Sequence, residues 1–197
     1  LSSDKNKKQQ FVSQLGTAFE EIGFVALKGH FLSSELLEAL YSEFRSFFKL
    51  PLELKKQYAV EGGGGQRGYT SFGKEHAKNR KVGDLKEFWH FGQYENHVSK
   101  LYPENLTVNE CPKFNEVGKH TYELVEKTAQ HVLQAIAIHL KVEEHYFDAF
   151  IANGNSILRA IHYPPITQEP QSALRAAAHG DINLITLLMG AQGKGLQ

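Results

Sequence analysis

The stretch Ser156-Ile157-Leu158-Arg159-Ala160-Ile161-His162-Tyr163-Pro164-Pro165 decides the fold class. It holds apolar residues without a helical repeat and stops at two prolines, which cannot continue a hydrogen-bonded ladder, so it predicts a strand from Ser156 to Tyr163. Further extended runs follow at Leu174 to His179, at Leu184 to Met189 and from Gly195. Before Asn155 the pattern is mostly helical. Helices first and strands last predict an α+β protein, in which a helical layer packs on an antiparallel sheet or barrel.

Working outward, Phe11, Val12, Leu15, Ala18, Phe19 and Ile22 recur at helical spacing, and Gly23 closes the pattern as a C-cap would. Phe24 to Leu27 is a short apolar run placed to be a buried strand. A second helix begins near Ser33 or Ser34, with Glu35 in its first turn and Leu36, Leu37, Leu40, Tyr41, Phe44, Phe47 and Phe48 on a wide apolar face. Pro51 opens a short helix reaching Tyr58. Residues 61–92 are glycine-rich and aperiodic, which predicts loop and short extended segments. The longest helix runs from Pro112 to Leu140, and a shorter one from Glu143 to Ala152 ends at Asn153-Gly154.

Composition narrows the function classes. The 197 residues are 41% hydrophobic, and 22 Lys+Arg balance 22 Asp+Glu, with a pI near 7.3. That suits one folded domain and gives no electrostatic reason to expect nucleic acid or an anionic membrane. Lys78, Arg80 and Lys81 are expected to be answered by Asp84 and Glu87 on a solvated surface. The single cysteine, Cys111, has no partner for an internal disulfide, so a reducing compartment is expected, with cytoplasm (a cytoplasmic protein) as the default. The longest aliphatic run, Leu184 to Met189, is far short of a bilayer span.

His179-Gly180-Asp181 puts an imidazole and a carboxylate two residues apart, where a slight bend lets both reach one metal ion. Nitrogen with hard oxygen suits Fe(II), Mn(II) or Zn(II), and two histidines with one carboxylate leave positions open for substrate and oxygen. The bare pattern is weak: 10 histidines and 22 acidic residues in 197 positions give about one such spacing by chance, and the sequence has one.

Context strengthens it. The Ser156 to Pro165 stretch, Arg175-Ala176-Ala177-Ala178-His179-Gly180-Asp181, Leu184-Ile185-Thr186-Leu187-Leu188 and Gly195-Leu196-Gln197 together resemble the isopenicillin N synthase-like family of Fe(II)/2-oxoglutarate-dependent oxygenases. Glu21-Ile22-Gly23-Phe24-Val25, Gly29-His30, Phe47-Phe48, Pro51, Gly68-Tyr69 and Asp84-Leu85-Lys86-Glu87 extend the resemblance over nearly the whole sequence. It implies a double-stranded β-helix, or jelly roll, with an N-terminal helical layer: one domain over 1–197, mostly helical to 154, with 155–197 the first part of the jelly-roll core. It also implies that His179 and Asp181 are iron ligands and that Tyr163 reaches the carboxylate of the 2-oxoglutarate co-substrate. Tyr163 also reads as a half-buried strand aromatic before a proline turn, and Ile161 stands where plant relatives carry an asparagine.

The family's second iron-binding histidine and its Arg-x-Ser clamp would follow Gln197, so the barrel is expected to be incomplete and the polypeptide to lack its C-terminal part. The resemblance places Trp89-His90 at the mouth of the barrel and has Arg67 and Tyr69 face the substrate, while a salt-bridged loop and packed aromatics fit those residues equally well. Gly62 to Gly65 reads as a loop, since no Gly-Lys-Ser/Thr follows it. His120, His131 and His139 read as surface or boundary residues of the long helix, and His145 with Asp148 as a short helix surface. Cys111 precedes Pro112 at a helix start, where the helix dipole would lower its pKa, but no histidine partner is evident from sequence order and a catalytic cysteine is not expected.

The expectation is therefore a monomeric cytoplasmic oxygenase using Fe(II), 2-oxoglutarate and molecular oxygen to hydroxylate, desaturate or cyclise a small organic molecule. It has no nucleic-acid or membrane partner and no acid-base catalytic residue. Two alternatives stay open: an iron oxidase of the same family that needs no oxoacid, and a non-catalytic truncated binding module.

Overall fold

The computed structural model describes residues 1–75, 82–94, 102–152, 154–167, 173–176, 180–181 and 183–189. Helix α1, Lys5–Glu21, starts before its apolar stripe because the Asp4 carboxylate accepts from the backbone N–H groups of Asn6 and Lys7, at 2.9 and 3.2 Å. It ends where Gly23 takes φ +76. Helix α2, Ser34–Phe48, is capped by the Ser33 hydroxyl, which accepts from Leu36 N–H at 3.1 Å. Pro51 opens the five-residue α3, Leu52–Lys56, shorter than expected.

Strands β1, Gly68–Thr70, and β2, Glu87–Gly92, fall in the glycine-rich segment. Helix α4, Pro112–His139, is the longest described element at 28 residues. Helix α5 is confined to Asp148–Ile151, because Glu143 to Phe147 turns without a continuous helical ladder. Strand β3, Ile157–His162, completes an antiparallel sheet in the order β1-β2-β3. Its register pairs Tyr69 with Trp89, and then Glu87 with His162, Phe88 with Ile161, Trp89 with Ala160 and His90 with Arg159.

Helix α4 packs against α1, α2 and β2. Between α2, the N-terminal half of α4 and the sheet lies an aromatic core: Phe47 stacks on Phe114 at 4.8 Å and meets Trp89 edge-on at 4.9 Å, and Phe91 lies 5.2 Å from Phe114. Gly118 admits this packing, since a Cβ there would stand 2.3 Å from the Phe91 ring. A second cluster, Val12, Leu15, Val132 and Ala135, joins α1 to the other half of α4.

The helical layer on an antiparallel sheet is thus observed, with three strands among the described residues. Three expectations are corrected. Phe24 to Leu27 is not a strand: among the described residues nothing pairs with it, and Phe24 is 63% exposed. Neither the described part of Leu174 to His179 nor Leu184 to Met189 forms a strand, and Leu184 and Leu188 are more than half exposed. A strand exists only with a partner, and apolar residues alone do not supply one. The extended start at Gly195 lies outside the described residues.

Candidate functional site

The sheet has two unlike faces, set by the two-residue period of its strands. Glu87, Trp89 and Phe91 of β2, with Leu158, Ala160 and His162 of β3, look toward the helices. Phe88, His90 and Gly92, with Arg159 and Ile161, look the other way.

On that second face the Arg159 guanidinium lies 4.4 Å over the Phe88 ring, and its Nε donates to His90 Nε2 at 2.6 Å. His90 Nδ1 meets the Gly65 carbonyl at 2.5 Å, so the neutral tautomer with hydrogen on Nδ1 satisfies both bonds. Burial, reinforced by the Arg159 charge, pushes the His90 pKa down to about 4. Glu75 receives Arg159 at 3.0 and 3.3 Å and Lys86 at 2.7 Å, and Lys86 also reaches Asp84 at 3.0 Å. Burial opposes ionisation of Glu75, yet Lys86 and Arg159 outweigh it and hold its pKa low. The charges alternate in sign along this series of side chains, so the wall is polar but locally compensated.

A second network lies on the helix side. Glu87 accepts from Lys55 Nζ at 2.8 and 3.0 Å, from the Tyr69 hydroxyl and from His162 Nδ1 at 2.8 Å. Lys55 spends its third proton on the Phe48 carbonyl at 3.0 Å. Burial works against the Glu87 carboxylate, but these three donors keep its pKa below the usual value.

The residues singled out from sequence are dispersed. Tyr69 is buried on the helix side with its hydroxyl on Glu87, and burial raises its pKa. Arg67, also buried, donates from Nη1 to the Gln66 carbonyl and to Asn155 Oδ1, both at 2.7 Å, and its guanidinium lies against Gly92. Burial lowers its pKa. Tyr163, one residue past β3, is 36% exposed and falls by the strand period on the face of Arg159 and Ile161. Asp181 is exposed and accepts from the Thr186 hydroxyl at 2.8 Å, whereas His179 lies outside the described residues. Among the described residues no three His, Cys, Asp or Glu side chains gather as a metal centre. The Asp181 carboxylate, exposed and two residues from an imidazole in sequence, has the chemistry of a divalent-metal donor.

Two surface expectations are overturned. Asp84 and Glu87 are buried, bound to Lys86 and Lys55; Lys78, Arg80 and Lys81 lie outside the described residues. Cys111 has its pKa raised, first by burial and then by Glu43 and Glu110, which outweigh any helix-dipole effect. His145 and Asp148 form the expected exposed pair at 2.8 Å. Sequence reading passes over Arg159, Glu75 and Lys55 as site-forming residues. For Arg159 the signal is present, because it interrupts an otherwise apolar strand, which marks a buried or site-facing ionisable group.

Residues 1–113 match the family model described as non-haem dioxygenase in morphine synthesis, N-terminal. That is more than half the chain, and the chain belongs to this non-haem dioxygenase family. It is 29% identical to the 2-oxoglutarate-Fe(II) type oxidoreductase hxnY of Emericella nidulans, over 99% of this chain and 59% of that protein. It is 27% identical to the proline hydroxylase buaE of Petromyces alliaceus, over 100% of this chain and 63% of that one. Among solved structures, a 2OG-Fe(II) oxygenase family protein from Caulobacter crescentus superposes with a TM-score of 0.77 at 38% identity, covering 91% of this chain and 58% of that one. The chain thus spans about three fifths of the length of the curated relatives it matches. Among the described residues no helix is long and apolar enough to cross a membrane.

Proposed function

We propose that this chain supplies the helical layer and the first part of the core of an Fe(II)- and 2-oxoglutarate-dependent oxygenase, which oxidises a small organic molecule by hydroxylation, desaturation or ring closure. The observation that carries this is the likeness to the Caulobacter crescentus 2OG-Fe(II) oxygenase family protein across 91% of the chain. In this reading residues 1–197 belong to one domain, helical to 154, with 155–197 opening a jelly roll, and the protein works as a cytoplasmic monomer.

His179 and Asp181 hold the iron. No histidine follows His179 in the 197 residues, so the family's second imidazole has no counterpart among them. Bound iron supplies the activation of molecular oxygen, with 2-oxoglutarate as the reductant. Tyr163 engages the oxoacid carboxylate from the face of the sheet turned away from the helices. On the same face Arg159 presents a wall to the substrate, backed by the buried His90 and Phe88. Arg67 and Tyr69 serve the substrate side by holding that wall: Arg67 fastens the loop before β1 to Asn155, and Tyr69 ties β1 to Glu87 of β2.

The test is 2-oxoglutarate-dependent release of carbon dioxide by the whole protein with Fe(II), set beside the Asp181→Ala variant. Turnover that vanishes in the variant, with the melting temperature unchanged, is the expected result. Iron-dependent turnover retained by Asp181→Ala overturns the ligand assignment, and substrate oxidation without oxoacid consumption overturns the co-substrate.

A further inference from the structure

The ladder between β2 and β3 ends at the pair Glu87 and His162. Tyr163, the next residue, lies beyond that last cross-strand pair. Among the described residues its carbonyl receives a 3.5 Å contact from Arg175 Nη1, at the outer limit of a hydrogen bond. Besides that last ladder pair, the His162 side chain holds this end of β3: its ring stacks on Phe48 of α2 at 5.1 Å and its Nδ1 donates to Glu87 at 2.8 Å. Glu87 is itself immobilised by the two Lys55 bonds and the Tyr69 hydroxyl, with both side chains of the Lys55–Glu87 pair only 7% exposed. Successive strand residues point to opposite faces, so an imidazole fixed on the helix side fixes how the following side chain leaves on the other.

We propose that His162 is a positioning residue: anchored by Glu87 and Phe48, it sets the direction in which Tyr163 projects and thereby the affinity of the site for 2-oxoglutarate. This rests on the functional reading above, in which Tyr163 meets the oxoacid. The anchor is charge-assisted and buried at its base, so it holds the strand end where backbone pairing stops. His162 acts through Tyr163 and touches no reactant.

The experiment uses the whole protein loaded with Fe(II) under anaerobic conditions. It is titrated with 2-oxoglutarate, chelation being read from the visible charge-transfer absorption, and melting temperatures are recorded in parallel. His162→Phe keeps a ring on Phe48 but has no N–H for Glu87, whereas His162→Asn keeps a donor where Nδ1 stood. His162→Phe should weaken 2-oxoglutarate binding about ten-fold, and His162→Asn should stay within about two-fold of wild type. Tyr163→Phe should lose a similar amount, and the His162→Phe/Tyr163→Phe double variant should bind no worse than Tyr163→Phe alone, because the two residues act as one unit. Losses that add in the double variant, or a His162→Phe protein that binds as wild type does, overturn this inference and leave the oxygenase reading standing. Wild-type protein that binds no 2-oxoglutarate overturns the oxygenase reading and the inference with it.

Discussion

Arg159 Nε and His90 Nε2 lie 2.6 Å apart across the β2–β3 register, and the bond between them fixes the imidazole as an acceptor. Burial disfavours the charged imidazolium, and a proton on Nε2 would also face the guanidinium, so His90 stays neutral and its pKa falls to about 4. The unfolded polypeptide protonates this histidine near pH 6.5. Below that value the unfolded state takes up a proton that the folded state refuses. The contribution is therefore complete above about pH 6.5, shrinks as pH falls, and is lost below about pH 4, for a total on the order of 3 kcal/mol. His90→Gln can donate to Gly65 and accept from Arg159 without titrating. Urea unfolding between pH 4 and pH 7 should show a shallower loss of stability for the variant than for wild type, and parallel slopes would show that His90 is not the group responsible.

Lys55→Met should be far more damaging than its small change in shape suggests. The substitution leaves Glu87 buried, with Tyr69 and His162 as its remaining partners, and removing one member of a buried pair costs about 3 to 5 kcal/mol. Chemical denaturation measures this directly. Lys55→Met/Glu87→Gln, which removes both charges, should recover part of the loss, and no recovery would mean that the pair's geometry matters more than its charge.

Gly118→Ala tests the seam between α4 and the sheet. Alanine is the better helix former, yet its Cβ would stand 2.3 Å from Phe91 Cζ, and the ring is wedged among Phe44, Trp89 and Phe114. The crowding should outweigh the gain in helix propensity, for a net destabilisation of about 1 to 3 kcal/mol. A raised melting temperature would mean that the ring has room to move.

The long elements are legible because each carries its own signal. Helix α4 has an uninterrupted apolar stripe, α2 has Ser33 and Glu35 at its entrance, and β3 is closed by Pro164-Pro165. Helix α1 extends further than its stripe announces, since its first turn is polar and held only by the Asp4 cap. Phe24 to Leu27 and Leu184 to Met189 mislead, because an apolar run declares that it wants burial but not whether a neighbouring strand exists. Of the proposed site, Tyr163 is named through the family resemblance of the stretch that carries it. The Arg159–His90 bond joins residues 69 positions apart, and the Lys55–Glu87 bond joins residues 32 apart. Such pairings depend on register and on helix docking, which local sequence does not encode.

Helix α4 belongs to both apolar clusters: Phe114 and Tyr122 lie in the aromatic one, Val132 and Ala135 in the one shared with α1. At 28 residues it is a beam roughly 42 Å long. One end carries the sheet, and the other is clamped by α1. A cavity opened under Leu15 would therefore not stay a local defect. By loosening the far support it would tilt the beam, and the leverage would be felt at Phe91 and Trp89, under the strand that carries His90.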